Sequence, residues 1–148
     1  MLSDERAQFE NLTSVELELA CTGKLHPKAE EGIRLFDAKD YWHAHEALEE
    51  AWLAEKGPAR QLYKGILQAG VAYLQVQRGN YVGIMKMHKR SQVWLTPWPD
   101  VCRTIDVRQL KADLERVIAE ARRLGVENID EFDQSLLKPI QRTTLEST

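Results

Sequence analysis

The residues best suited to chemistry in this 148-residue chain lie in one run, Asp40-Tyr41-Trp42-His43-Ala44-His45-Glu46-Ala47-Leu48-Glu49-Glu50-Ala51-Trp52-Leu53. At helical spacing, Tyr41, Ala44, Leu48, Ala51 and Trp52 share an apolar face. Trp42 and Leu53 lie beyond a gap in that arc, and His45 and Glu49 fall inside the gap. An unpartnered carboxylate buried there costs on the order of several kcal/mol or takes up a proton. Glu49 therefore needs a donor, and His45 is one turn away on the same side. Such a pair can be a hydrogen bond that fixes the helix. It can equally be two ligands of a divalent metal, because a His and a carboxylate at i, i+4 face one point. Glu46 sits at the edge of the arc and adds an oxygen. His43 and Glu50 point the opposite way, toward solvent.

Other segments supply further members. Between Tyr81 and Leu95, the residues Ile84, Met87, Ser91 and Leu95 set a buried face that includes His88. Lys86, Lys89 and Arg90 lie opposite and read as a solvated face. The segment from Ala59 to Arg78 is apolar nearly all round and is expected to be the central helix. Its polar residues Gln61, Lys64, Gln68 and Gln75 form one narrow stripe. A polar pocket at His45, Glu49 and Gln68, walled by Trp42, Trp52 and Tyr73, has the usual makeup of a ligand site. Trp98, between two prolines, is expected to be the tryptophan that offers an exposed contact.

Several specific chemistries fail on their patterns. His45-Glu46-Ala47-Leu48-Glu49 reads H-E-x-x-E, without the second His of the zincin motif H-E-x-x-H. The Glu-x-x-His pairs of di-iron bundles are absent: Trp42 precedes His45 by three and Met85 precedes His88 by three. There is no Gly-rich phosphate loop and no G-x-S-x-G elbow.

These residues must be held by a set of helices. The spacing predicts a first helix over 4–20, with Thr13-Ser14 a point of interruption and Gly23 its stop. A second starts at Pro27, a residue suited to a first helical turn. Asp40 caps a third over 41–55, Gly57-Pro58 separates it from the fourth, and Asn80 caps the fifth over 81–95. Asp106 caps a sixth that ends at Gly125. Asp40-Tyr41 and Asn80-Tyr81 form a weak internal echo forty residues apart. No sustained period-two alternation occurs, so no sheet is expected. The fold class is all-α: a compact bundle of about six helices arranged as antiparallel hairpins. One domain spans 1–148, with its core at 27–124, an accessory helix at 4–20 and a frayed end at 141–148.

Composition bounds the rest. Hydrophobic residues make up 43% and charged residues 29% of the chain, ordinary for one globular domain. Twenty Lys and Arg against 23 Asp and Glu give a net charge of −3, so charge offers no reason to expect nucleic acid. The best apolar stretch, Gly65 to Val76, is well short of the roughly 20 residues a spanning helix needs, so no membrane is expected. The charged start is unlike a signal peptide. Cys21 and Cys102 stand far apart without a C-x-x-C, and are expected to be thiols serving as small apolar fillers in a reducing cytoplasm.

The run from Phe36 to Trp52, followed by Lys64-Gly65-Ile66-Leu67-Gln68-Ala69-Gly70-Val71-Ala72-Tyr73, then Arg78-Gly79-Asn80 and Gly83, resembles the signature of the DUF309 family, small helical proteins of prokaryotes. The likeness covers about Ile33 to Leu95. It implies an all-helical bundle and places the family's polar set on His45, Glu46, Glu49 and Gln68. It implies no activity. His88 lies outside that pattern, and Ile84 departs from it.

Three functions remain. The first is a non-catalytic module binding a small ligand or a protein partner at His45, Glu46, Glu49 and Gln68, with Trp42, Trp52 and Tyr73 around them. The second is a metal-dependent hydrolase, with His45, Glu49 and His88 on the metal and Glu46 activating water. The third is a structural helper, self-associating through Trp98, with no pocket at all.

Overall fold

The computed structural model describes residues 2–143. Among them are seven helices: α1 (Leu2–Glu10), α2 (Ser14–Cys21), α3 (Pro27–Asp37), α4 (Tyr41–Ala54), α5 (Ala59–Gln77), α6 (Tyr81–Leu95) and α7 (Val107–Asn128). The fold is all-α apart from a small hairpin, β1 (Val101–Cys102) and β2 (Ile105–Asp106), and two 3-10 turns after α7.

Local sequence accounts for where the helices begin. The predicted 4–20 helix is two helices, because Thr13 and Glu16 form a capping box. Glu16 N donates to Thr13 Oγ1 at 3.1 Å and Thr13 N to Glu16 Oε1 at 2.9 Å. Pro27 opens α3 after His26, whose Nδ1 accepts from Lys28 N. Asp40, Asn80 and Asp106 cap α4, α6 and α7 through their side chains. Gly125, at φ +69°, bends α7 where a stop is expected.

The echo between Asp40-Tyr41 and Asn80-Tyr81 is structural. Asp40 N donates to Leu35 O, and Asn80 N to Gln75 O, each at 2.9 Å. The residue before each cap is left-handed: Lys39 at φ 63° and Gly79 at φ 67°. Two helices thus end in the same reverse turn, and each leads to a Tyr at the start of the next helix.

Helix α5 is central, packed against α4 on one side and α6 on the other, with α3 beyond α4 and α7 beyond α6. Phe36, Tyr41 and Tyr73 join α3, α4 and α5 in an aromatic triangle, with ring centroids 5.2–5.6 Å apart. Phe9 and Leu17 bring α1 and α2 onto the same core.

Several expectations are corrected. A hairpin exists where no sheet was expected. Its strands are two residues long, too short to show alternation, and its turn is Arg103-Thr104, both at positive φ (49° and 71°), without the Asn or Gly that usually marks such turns. Trp98 is buried, 3% exposed, beneath Phe9 of α1. The end of the chain docks further than expected. Ile140 is buried, Asp106 N donates to Gln141 O, and Thr143 N donates to Thr104 O. Of the expected frayed stretch, residues 144–148 lie outside the described residues. Cys21 and Cys102 are bonded as a disulfide and are not free thiols, because the end of α2 and the start of the hairpin meet with Cα atoms 4.5 Å apart. No helix among the described residues is long and apolar enough to cross a membrane.

Candidate functional site

Asp40 starts α4 by accepting from His43 N, and its carboxylate also meets His43 Nδ1 at 2.9 Å. That phasing buries Tyr41, Ala44, Ala47, Leu48 and Ala51. His45 falls at the edge of the buried arc and is half-buried; its Nδ1 is inaccessible to solvent and has no hydrogen-bond partner. Glu46 and Glu49 are exposed. The expected burial of Glu49 beside His45 is therefore corrected. Trp42 and Leu53 are 51% and 64% exposed, so they are apolar groups on the surface and mark no second flank of the core. Glu49 meets water and needs no donor from His45.

Trp42 instead stacks on His45, ring centroids 6.1 Å apart and planes at 25°. The Arg78 guanidinium lies 5.9 Å from the Trp42 ring centroid, at the far end of α5. Gln68 of α5 is half-buried, and its Oε1 also lacks a partner. An unmade hydrogen bond at a buried acceptor or donor costs about 1–3 kcal/mol. Two such atoms, His45 Nδ1 and Gln68 Oε1, occur on adjacent helices within the predicted site.

The remaining predicted residues point elsewhere. Tyr73 is wholly buried in the aromatic triangle, where burial pushes its hydroxyl well above the ordinary tyrosine range. Trp52 turns toward Arg60 and Lys64, whose cationic groups lie 5.0 and 5.3 Å from its ring centroid. His88 of α6 faces α7, with Nε2 3.6 Å from Glu115 Oε1. Burial holds the His88 imidazole below its ordinary value; Glu115 pulls the other way and Arg122 reinforces the drop. Among the described residues, no group of three or more His, Cys, Asp or Glu side chains gathers as a metal centre, so His45, Glu49 and His88 do not converge. Three surface depressions of about 340, 250 and 450 Å³ are lined by none of the eight predicted site residues.

One polar cluster has no signal in the sequence. Arg103, in the hairpin turn, donates from Nε to Ala20 O at 2.8 Å. Its Nη1 lies 2.8 Å from Glu55 Oε1, 3.0 Å from Lys24 O and 3.1 Å from the Tyr63 hydroxyl. His26 N donates to the same hydroxyl at 3.0 Å. The disulfide lies beside this cluster, and Arg103 N donates to Cys21 O. A two-residue turn between two-residue strands carries no periodicity from which Arg103 could have been picked out.

Comparison with known proteins bears on the segment that holds the His45 face. An uncharacterized protein of Aquifex aeolicus (strain VF5) is 30% identical over 80 residues, 53% of this chain. That alignment covers 24% of the Aquifex protein, so the chain spans about a quarter of its relative's length. No solved structure matches. The family model for a domain of unknown function, DUF309, matches residues 29–87, from α3 into α6. The likeness seen in the Phe36–Trp52 and Lys64–Tyr73 motifs is thereby borne out: residues 29–87 of this chain match the DUF309 model.

Proposed function

We propose that the chain is a non-catalytic binding module whose recognition face lies on α4 and α5 around Trp42, His45 and Gln68. The observation behind this reading is the pairing of an exposed indole with two unpartnered polar atoms, His45 Nδ1 and Gln68 Oε1. A bound group that meets those atoms with a small local rearrangement removes a desolvation cost that the free protein bears. The exposed indole of Trp42 suits an extended or helical segment of a protein partner. Trp42 would serve as the aromatic anchor of such a contact.

The hydrolase reading is less favoured, because His88 is turned to Glu115 and Glu49 stands in water. The self-associating helper loses its proposed anchor, since Trp98 is covered by Phe9. For location, the linked Cys21 and Cys102 favour an oxidising setting over the cytoplasm. Partners other than nucleic acid and lipid remain part of this reading.

A photoreactive phenylalanine analogue placed at Trp42, and separately at the exposed control Val126, tests the proposal in lysate of the source organism. A discrete crosslinked protein is expected at position 42 alone. Its yield should fall about tenfold, equivalent to about 1.4 kcal/mol of affinity, when His45→Ala and Gln68→Ala are added. Equal labelling at both positions, or labelling indifferent to His45 and Gln68, overturns the reading.

A further inference from the structure

A second polar cluster lies at the other end of α5, and its composition is unusual for a core. Lys64 is 9% and Gln61 7% exposed. The Lys64 ammonium sits between two indoles, 4.1 Å from the Trp94 ring centroid and 5.3 Å from that of Trp52. Arg60 covers the outer side of Trp52 at 5.0 Å. A buried ammonium demands an anion, because aromatic faces alone do not replace its water. The anion is Glu5 of α1. Gln61 Nε2 donates to Glu5 Oε1 at 2.9 Å, and Lys64 Nζ to Glu5 Oε2 at 3.3 Å. Burial raises the Glu5 pKa, but the Gln61 hydrogen bond and the Lys64 charge prevail and hold it below the ordinary range. The occupant is a carboxylate, not a carboxylic acid.

Two features separate the cradle from its occupant. The cradle is part of the helical body: Trp52, Arg60, Gln61 and Lys64 all fall within the segment that matches the DUF309 model. Helix α1 precedes that segment and is nine residues long, shorter than a helix that stands by itself in water. Of its described side chains only Phe9 is buried, against Trp94 and Trp98. It is held on one face, by Glu5 and by Phe9 four residues later.

Glu5 also leaves part of the cradle unused. Arg60 Nε, Trp52 Nε1 and Gln61 Oε1 are buried without partners, although Glu5 is beside them. Two of the three are donors, so the surroundings offer an anion more than Glu5 takes. A cleft of about 250 Å³ opens alongside, lined by Glu5, Phe9, Leu12, Pro58, Arg60 and Gln61. A carboxylate arriving through it meets Arg60 before it reaches Lys64.

We infer that Trp52, Arg60, Gln61, Lys64 and Trp94 form a carboxylate-binding site, which α1 fills in cis with Glu5 and an external carboxylate fills when α1 lifts. The geometry is that of a pseudo-ligand: Glu5 supplies the anion and Phe9 the apolar flank. The natural occupant carries the same two features, as an organic acid with an apolar body or as an acidic segment of another polypeptide. The site is independent of the His45 face, on the other half of α5.

The test uses the full-length chain carrying Glu5→Ala, which keeps Phe9 and leaves Lys64 without its anion. Tryptophan fluorescence is followed during titration with sodium propionate, against sodium chloride at equal ionic strength. A saturable, propionate-specific change is expected, at least fivefold tighter than in the unmodified chain and lost on adding Lys64→Met. A synthetic peptide of residues 2–12 distinguishes the sources. Response to propionate points to a small acid, and response to the peptide alone points to an acidic segment. Either outcome supports the site. If Glu5→Ala is partly unfolded, propionate or the peptide should restore its helical circular dichroism where chloride does not. A variant that neither binds nor is restored by either probe overturns the inference.

Discussion

The polar groups around Arg103 and those around His45 obey opposite rules. Arg103 has four acceptors within 3.1 Å, and the Tyr63 hydroxyl and Glu55 close the cluster. Across α4 and α5, the buried His45 nitrogen and the buried Gln68 oxygen have nothing to bond to, and an exposed tryptophan stacks on His45. A cluster that satisfies its own groups gains little from a visitor, whereas one that leaves groups unmet can gain a great deal. On the proposed reading, the contrast separates the part of the molecule that holds it together from the part available for recognition. Charge alone would have ranked them the other way.

The contrast can be broken by measuring stability at each region. The largest effect is expected at the disulfide beside Arg103. Cys21 and Cys102 are 81 residues apart, and opening a loop of that size removes about 4 kcal/mol. Chemical denaturation of a Cys21→Ala/Cys102→Ala variant should show that loss, and unchanged stability would mean that the linkage does not constrain the unfolded chain. Next comes Arg103→Met, which leaves Glu55, 18% exposed at its side chain, without its cation. A loss of about 3 kcal/mol is expected from breaking such a pair, discounted for the water that still reaches it; a loss below 1 kcal/mol would place Arg103 with the weak surface pairs. The smallest effect is expected at Trp42→Ala, within about 0.5 kcal/mol of the unmodified chain, as for other exposed positions. A large destabilisation there would make Trp42 a structural residue and erase the contrast.

Much of the fold was legible because its helices announce themselves locally. Asp40, Asn80 and Asp106 are side-chain caps, and each stands where a periodic apolar pattern begins. The central position of α5 followed from its being apolar nearly all round. The hairpin and the disulfide were not legible. Strands of two residues show no alternation, and Arg103-Thr104 lacks turn chemistry. Nothing local links cysteines 81 residues apart.

The candidate site was legible by half. Periodicity puts His45 inside the apolar arc, whereas it lies half-buried at the arc's edge. It misplaces Glu49 by more, because a hydrophobic residue outside the main arc does not by itself mark more core. Trp42 and Leu53 are exposed, and only the three-dimensional surroundings reveal that. Lys64 stood out solely as one of four residues in a polar stripe. Its special place between two tryptophans depends on α6, a separate element that the pattern of α5 does not specify.

The bond between Cys21 and Cys102 also changes the connectivity of the chain. Residues 21–102 form a covalent ring, and the segment that matches the DUF309 model lies within it, with α1 and α7 on arms outside. A single cut in the exposed Lys56 region between α4 and α5 therefore opens the ring but releases no fragment until a reductant is added. The ring travels as one covalent body with the hairpin that closes it, even when its backbone is no longer continuous.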